Sequence, residues 1–270
     1  SRSSDLKLLL GIMVDFQEEI LDDPMTSGMG KFLTEADVGY IDDEDIARCS
    51  RQLLDPPPHN TAYFNAQLVA VKNYYHNISD GLIDLETHVI DQTYTLSENM
   101  QEYALSDGHI TKLFLETINT SKDDILSYVA NYNSDEFIIV VFHAGLGQDI
   151  GSGGFDPTIF DIHSAYIDQE MLTDYNENPE LPEFNILQNN SIIIGGKTIS
   201  DGIILPETLN MIYYDVIEDV FIIDFVNNNE LEDLFCDIQY GMTGLFSYLL
   251  GFRLGFPPMH STANIAPVTR

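Results

Sequence analysis

Gly244-Leu-Phe-Ser-Tyr-Leu-Leu-Gly-Phe-Arg-Leu-Gly-Phe-Pro257 is the stretch on which the reading of this chain turns. Apolar and aromatic residues recur through it at helical spacing. Gly255 follows the last of them and Pro257 and Pro258 follow the glycine, so the segment reads as a buried helix with a C-terminal stop. Tyr248 and Phe252 stand at i and i+4 on one face of such a helix, with Leu249 beside the first. By itself this pattern is that of a core helix and assigns no chemistry.

Working outward, β-branched and aromatic runs bounded by Gly, Asp or Asn predict strands at Leu6 to Phe16, Leu82 to Asp91, Phe137 to His143 and Ser191 to Ile199, with Gly202 to Leu205 as a short fifth. Thr61 to Ile78 has helical spacing, with Tyr63, Phe64, Leu68, Val71 and Tyr75 on one side, and Pro56-Pro57-Pro58 closes the loop before it. Ile110 to Thr117, Lys122 to Asn131 and Met242 to Leu254 read as further helices. Asp174 to Asn190 and Asn227 to Asp237 are polar, acidic insertions expected as loops or short helices. The order predicts an α/β (α+β) fold. At 270 residues, 44% of them hydrophobic, the chain is long enough for one sizeable core and is read as a single domain over residues 1–270.

Several blocks carry a family likeness. They are Leu9-Leu-Gly-Ile-Met-Val-Asp-Phe-Gln17, Asp55-Pro-Pro-Pro-His-Asn-Thr-Ala-Tyr-Phe-Asn-Ala-Gln67 with Tyr74-Tyr75 and Ser79-Asp-Gly81, Val141-Phe-His-Ala-Gly-Leu-Gly-Gln148, Phe155-Asp-Pro-Thr158, Asp161-Ile-His-Ser164 and Asp201-Gly-Ile-Ile-Leu-Pro-Glu207. In order and spacing, together with the helix at 244–257, they resemble the catalytic domain of the M6 family of secreted metalloproteases, the immune-inhibitor-A-like peptidases. The resemblance implies a zincin-like N-terminal subdomain: a twisted mixed sheet, a backing helix and an active-site helix at the cleft floor. It further implies a lower subdomain that is short or missing here, and an exported protein whose leader lies outside this sequence.

The family's metal motif reads His-Glu-x-x-His-x-x-Gly-x-x-Asp. The match sets Tyr248 and Phe252 at the two histidines, Leu249 at the glutamate base, Gly255 at the glycine and Pro258 at the third ligand. Two histidines at i and i+4 meet one zinc and the glutamate activates its water, so these replacements remove ligands and base together. None of the seven histidines, at positions 59, 76, 88, 109, 143, 163 and 260, restores an i, i+4 pair. The expectation is a pseudoprotease without zinc. It would act by binding an extended peptide or a protein partner at the strand that borders the cleft, or by self-association in a surface assembly, outside the cell or on its surface. The competing expectation is an enzyme: a secreted metallopeptidase with unexpected ligands, or another hydrolase built on His143, Asp149, Asp161 and His163.

Charge narrows the partners. With 11 basic against 44 acidic residues the net charge is −33, which repels phosphate backbones and excludes nucleic acid. No apolar run of about 18 residues is present, so no membrane span is expected. The acidic surface serves solvation, or it holds Ca²⁺, for which oxygen-rich loops offer Asp15, Asp22, Asp149 and Asp156 as candidate ligands, with Glu18, Asp23, Asp42 to Asp45 and Asp161 nearby. Cys49 and Cys236 are either a single disulfide or two buried thiols, and neither has the surroundings of a catalytic cysteine.

Overall fold

The computed structural model describes residues 5–19, 25–34, 54–149, 158–214 and 235–257. Strand β1 (Leu8–Asp15) is apolar at nearly every position and buried on both faces, as a central parallel strand must be. It pairs in parallel with β2 (Glu86–Thr95) on one side and with β3 (Phe137–Leu146) on the other. Beyond β3 comes β8 (Gly202–Tyr214), again parallel, and then the short antiparallel strand β4 (Ala165–Ile167). The far half of β8 pairs instead with β9 (Phe235–Tyr240), also antiparallel, and a separate hairpin sheet joins β5 (Leu187–Gln188), β6 (Ser191–Ile194) and β7 (Lys197–Ile199).

Helices cover both faces. On one side lie α1 (Thr61–Ile78) and α5 (Thr243–Arg253), and Phe142 of β3 stacks on Phe64 of α1 at 4.6 Å and meets Phe246 of α5 at 6.4 Å. The opposite face carries α3 (Asp107–Tyr128), preceded by the single turn α2 (Gln101–Ala104) and packed against α4 (Gln169–Glu177). Asn60 starts α1 by accepting the amides of Ala62 and Tyr63 on its side chain, which satisfies two of the donors a helix leaves open. The hydroxyl of Tyr75 then ties α1 to α5 by donating to the carbonyl of Ser247 at 2.6 Å.

The fold is thus mixed α/β around a mixed sheet. Several expected boundaries shift for physical reasons. Ile110 to Thr117 and Lys122 to Asn131 belong to one helix, α3, because Thr117 and Ser121 donate back to the carbonyls four residues earlier and so need no turn to satisfy them. Ser191 to Ile199 is a hairpin, broken at Gly195 and Gly196, whose φ values of 51° and 81° allow the tight reversal. The insertion at 174–190 contains the end of α4 and the strand β5, and the expected loop at 227–237 ends in β9. Strand β8 runs nine residues past Leu205, and β4 is a strand that no run in the sequence suggested.

Close packing sets a specific limit where β8 begins. A Cβ on Gly202 would lie 2.0 Å from Cζ of Phe114, whose ring holds α3 against the sheet. Gly202→Ala should therefore destabilise the protein by about 1–3 kcal/mol in chemical denaturation, the usual range for overpacking a core. Gly244→Ala, in the first turn of α5 with open space around it, should be neutral or stabilising. Equal effects of the two changes would contradict this packing.

Candidate functional site

Helix α5 brings Tyr248 and Phe252 onto one face. The rings of Tyr248 and Phe252 meet at 4.9 Å, and Phe252 meets Tyr166 of β4 at 5.5 Å. Leu249 is buried, while Tyr248 and Phe252 are half-buried and present ring surface beside the edge strand. Gly255 takes φ +86° just past the helix, a conformation that favours glycine and turns the chain away. Pro258 and His260 lie outside the described residues.

The polar groups around these rings are already paired. Arg253 donates to Asp201 at 3.1 Å and to the carbonyl of Asp135 at 2.7 Å, and the Tyr166 hydroxyl donates to Asp201 at 2.6 Å. Burial, reinforced by the Asp201 carboxylate, holds the Tyr166 phenol protonated far above its ordinary range. The arrangement offers aromatic contact area, with its one cation and one anion neutralising each other.

A second polar centre lies at the carboxyl end of β3, where its parallel pairing with β8 ends midway along β8, and open α/β sheets often bind ligands at such strand ends. Glu207 accepts from Nδ1 of His59 at 2.6 Å, from the amide of Leu33 at 2.7 Å and from the amide of Gly145 at 3.0 Å. The other ring nitrogen, Nε2, faces the carbonyl of Asp55 at 3.0 Å, and only a doubly protonated imidazole donates at both positions. Burial opposes that charge, but the hydrogen bond and the charge of Glu207, helped by the Asp55 carbonyl, outweigh it and raise the His59 pKa. The adjoining cavity, bordered by Ser27, Lys31, Leu33, Gly145 and Thr208, is about 50 Å³. That space suits a water or two, whereas ligand sites run to several hundred Å³.

The residues proposed for an alternative enzyme lie near one another, with His163 acting electrostatically on both His143 and Asp149, and each is engaged by its own partners. His143 is fully buried, donates Nδ1 to the Ala144 carbonyl at 2.9 Å, packs against Phe16, and is pushed by burial down to about 4. Asp149 accepts from the amide and hydroxyl of Ser164, each at 2.8 Å, and burial raises its carboxyl. Asp161 accepts from the amide of Ser27 at 2.7 Å, and His163 stands 3.9 Å from Asp107 at the surface. Of the candidate calcium ligands, Asp15 pairs with Lys31 at 3.1 Å and Asp149 is held as above, while Asp22 and Asp156 lie outside the described residues. Among the described residues no three His, Cys, Asp or Glu side chains gather as a metal site. Cys49 lies outside them too, which leaves its pairing with Cys236 unplaced. A larger concavity of about 500 Å³, lined by residues such as Tyr175, Glu177, Glu183 and Phe184, is built from the single stretch between α4 and β5 and contains no histidine, serine or cysteine.

No family model, no curated protein and no solved structure matches this chain. Among the described residues no helix is long and apolar enough to cross a membrane. Sequence reasoning missed His59 and Glu207 as a pair, although both stand in blocks that carried the family resemblance.

Opposite pH dependences follow from the two buried histidines. His59 has a raised folded pKa, so its contribution is complete below its unfolded value near 6.5 and is lost as pH rises through the folded value. His143 has a depressed one, so stability is intact above about 6.5 and falls, by about 3 kcal/mol in all, as pH drops through about 4. In urea titrations across pH, the destabilisation caused by His59→Gln should be largest below pH 6.5 and shrink above it. His143→Phe should remove the acid-side loss. A pH-independent difference for His59→Gln would show that its ring is neutral.

Proposed function

We propose that this chain is a noncatalytic, zincin-like domain of the M6 type that works outside the cell by holding an extended protein segment. One observation carries the reading: the i and i+4 side chains of α5 share a face toward the edge strand, and both are aromatic rings, Tyr248 and Phe252, with buried Leu249 in the place of the base. Zinc chemistry needs nitrogen or oxygen donors at that spacing, and ring carbons supply none. Aromatic surface beside a short antiparallel edge strand is instead suited to an added strand, whose backbone pairs with the edge while its side chains meet the rings. Strongly acidic composition favours partners that are neutral or basic.

The purified chain should contain only substoichiometric zinc and should cleave no unstructured protein substrate, with or without chelator. Zinc in equimolar amount, retained through dialysis and linked to chelator-sensitive cleavage, would overturn the proposal. Peptides selected by the intact chain from a random display library should bind independently of zinc and lose affinity at least tenfold, about 1.4 kcal/mol, with Phe252→Glu. Conversely, Tyr248→His with Leu249→Glu and Phe252→His should confer zinc binding measurable by calorimetry, because the two rings already occupy one helix face. A folded triple variant that ignores zinc would argue against the assigned positions.

A further inference from the structure

Three stretches have the Asn-x-Ser/Thr pattern with a central residue other than proline: Asn77-Ile78-Ser79, Asn119-Thr120-Ser121 and Asn189-Asn190-Ser191. Such a pattern is an acceptor only where the asparagine amide and the hydroxyl two residues on can be reached together at the surface. The fold treats the three differently.

Asn119 and Ser121 sit within α3, where residues i and i+2 point to different sides. Ser121 is fully buried and donates to the Thr117 carbonyl at 2.6 Å. Asn77 lies in the last turn of α1, and the hydroxyl of Ser79 is occupied, donating to the His76 carbonyl at 3.3 Å and accepting the Ile83 amide at 2.9 Å.

Asn189 shares its exposure with Asn77 but sits in a turn, with no hydrogen bond from the hydroxyl of Ser191 among the described residues. It is exposed at the tip of the β5–β6 hairpin, where Asn189 and Asn190 adopt φ +49° and +60°, the paired left-handed geometry of a two-residue turn. Asn190 is engaged below the turn: its side-chain oxygen accepts from Asn176 at 2.9 Å and its carbonyl accepts from Gln169. The amide of Asn189 makes no such bond among the described residues, and Ser191 is half-exposed at the first position of β6.

We infer that Asn189 is the N-glycan acceptor of this chain when it passes through a compartment holding an oligosaccharide transferase. The inference rests on the exported reading above. In the transfer, Nδ2 of Asn189 bonds to the anomeric carbon of a lipid-pyrophosphate-linked oligosaccharide. The bond from that carbon to the phosphate oxygen breaks, the lipid pyrophosphate leaves with the bonding pair, and the amide proton passes to the transferase. No redox change occurs.

The full chain, led by a cleavable secretory leader into a glycosylating eukaryotic host, is examined by glycopeptide mass spectrometry. One glycan on Asn189 is expected, with the mobility shift abolished by Asn189→Gln and kept by Asn77→Gln and Asn119→Gln. A secreted, folded chain that is unmodified at Asn189, or modified at Asn77 or Asn119 in its place, would overturn the assignment. Fractionation of the source cells tests export separately: an intracellular native chain would remove the exported reading, while the leader-directed result still decides whether the turn is the acceptor.

Discussion

A single carboxylate organises the carboxyl edge of the sheet. Glu207 is 3% exposed and is satisfied by three donors from three separate segments: the His59 ring, the Leu33 amide and the Gly145 amide. A charge buried to that extent without donors would cost several kcal/mol, so the three segments must arrive together or not at all. His59 leads directly into Asn60, the cap of α1, and the Tyr63 hydroxyl returns to the Glu207 carbonyl at 3.0 Å. Placement of α1 then fixes Phe64 on Phe142 and Tyr75 on Ser247, which in turn sets α5. The face that carries Tyr248 and Phe252 is positioned, at several removes, by a hydrogen-bonded ion pair on the far side of the helix layer.

In both polar centres the buried charges are engaged in hydrogen bonds. A general base must have a lone pair free to take a proton. Both nitrogens of His59 donate, Glu207 accepts three of the roughly four hydrogen bonds a carboxylate can take, and Arg253, Asp201 and Tyr166 close on one another. Near α5 the Ser247 hydroxyl is buried without a hydrogen-bond partner among the described residues, and the half-buried rings of Tyr248 and Phe252 offer area and shape.

Strands β1 and β3 were legible because they are buried on both faces and read as continuous apolar runs, and both fall within a few residues of expectation, whereas β2, largely exposed, begins four residues later than expected. Legibility fails where the deciding interaction is not periodic. The polar stretch Thr117 to Ser121 mimics a loop because the donation of its hydroxyls to the previous turn cannot be seen in the pattern. Strand β4 has three residues and exists through its pairing with β8. The alignment of Tyr248 with Phe252 was readable from spacing alone, since i and i+4 share a helix face whatever the fold. The His59 and Glu207 pair was not, since its members lie 148 positions apart and meet only after the sheet has formed.

Among the described residues, three cations tie down the chain's own structure. Lys7 holds Glu136, Lys31 holds Asp15, and Arg253 holds Asp201 together with the Asp135 carbonyl, so the described bridges join segments that are distant in sequence or in the sheet. Exposed pairs of this kind contribute about 0–1 kcal/mol each, and their larger effect is on what is left over. With 11 positive groups against 44 negative, pairing leaves the outward field almost wholly negative. Long-range attraction is then reserved for basic partners and falls with added salt, over a Debye length of about 8 Å at physiological ionic strength. Short-range contact at the Tyr166, Tyr248 and Phe252 rings is uncharged and persists in salt. Under the proposed strand addition, such a surface would separate encounter from retention: electrostatics would select what approaches, and backbone pairing with aromatic contact would select what stays.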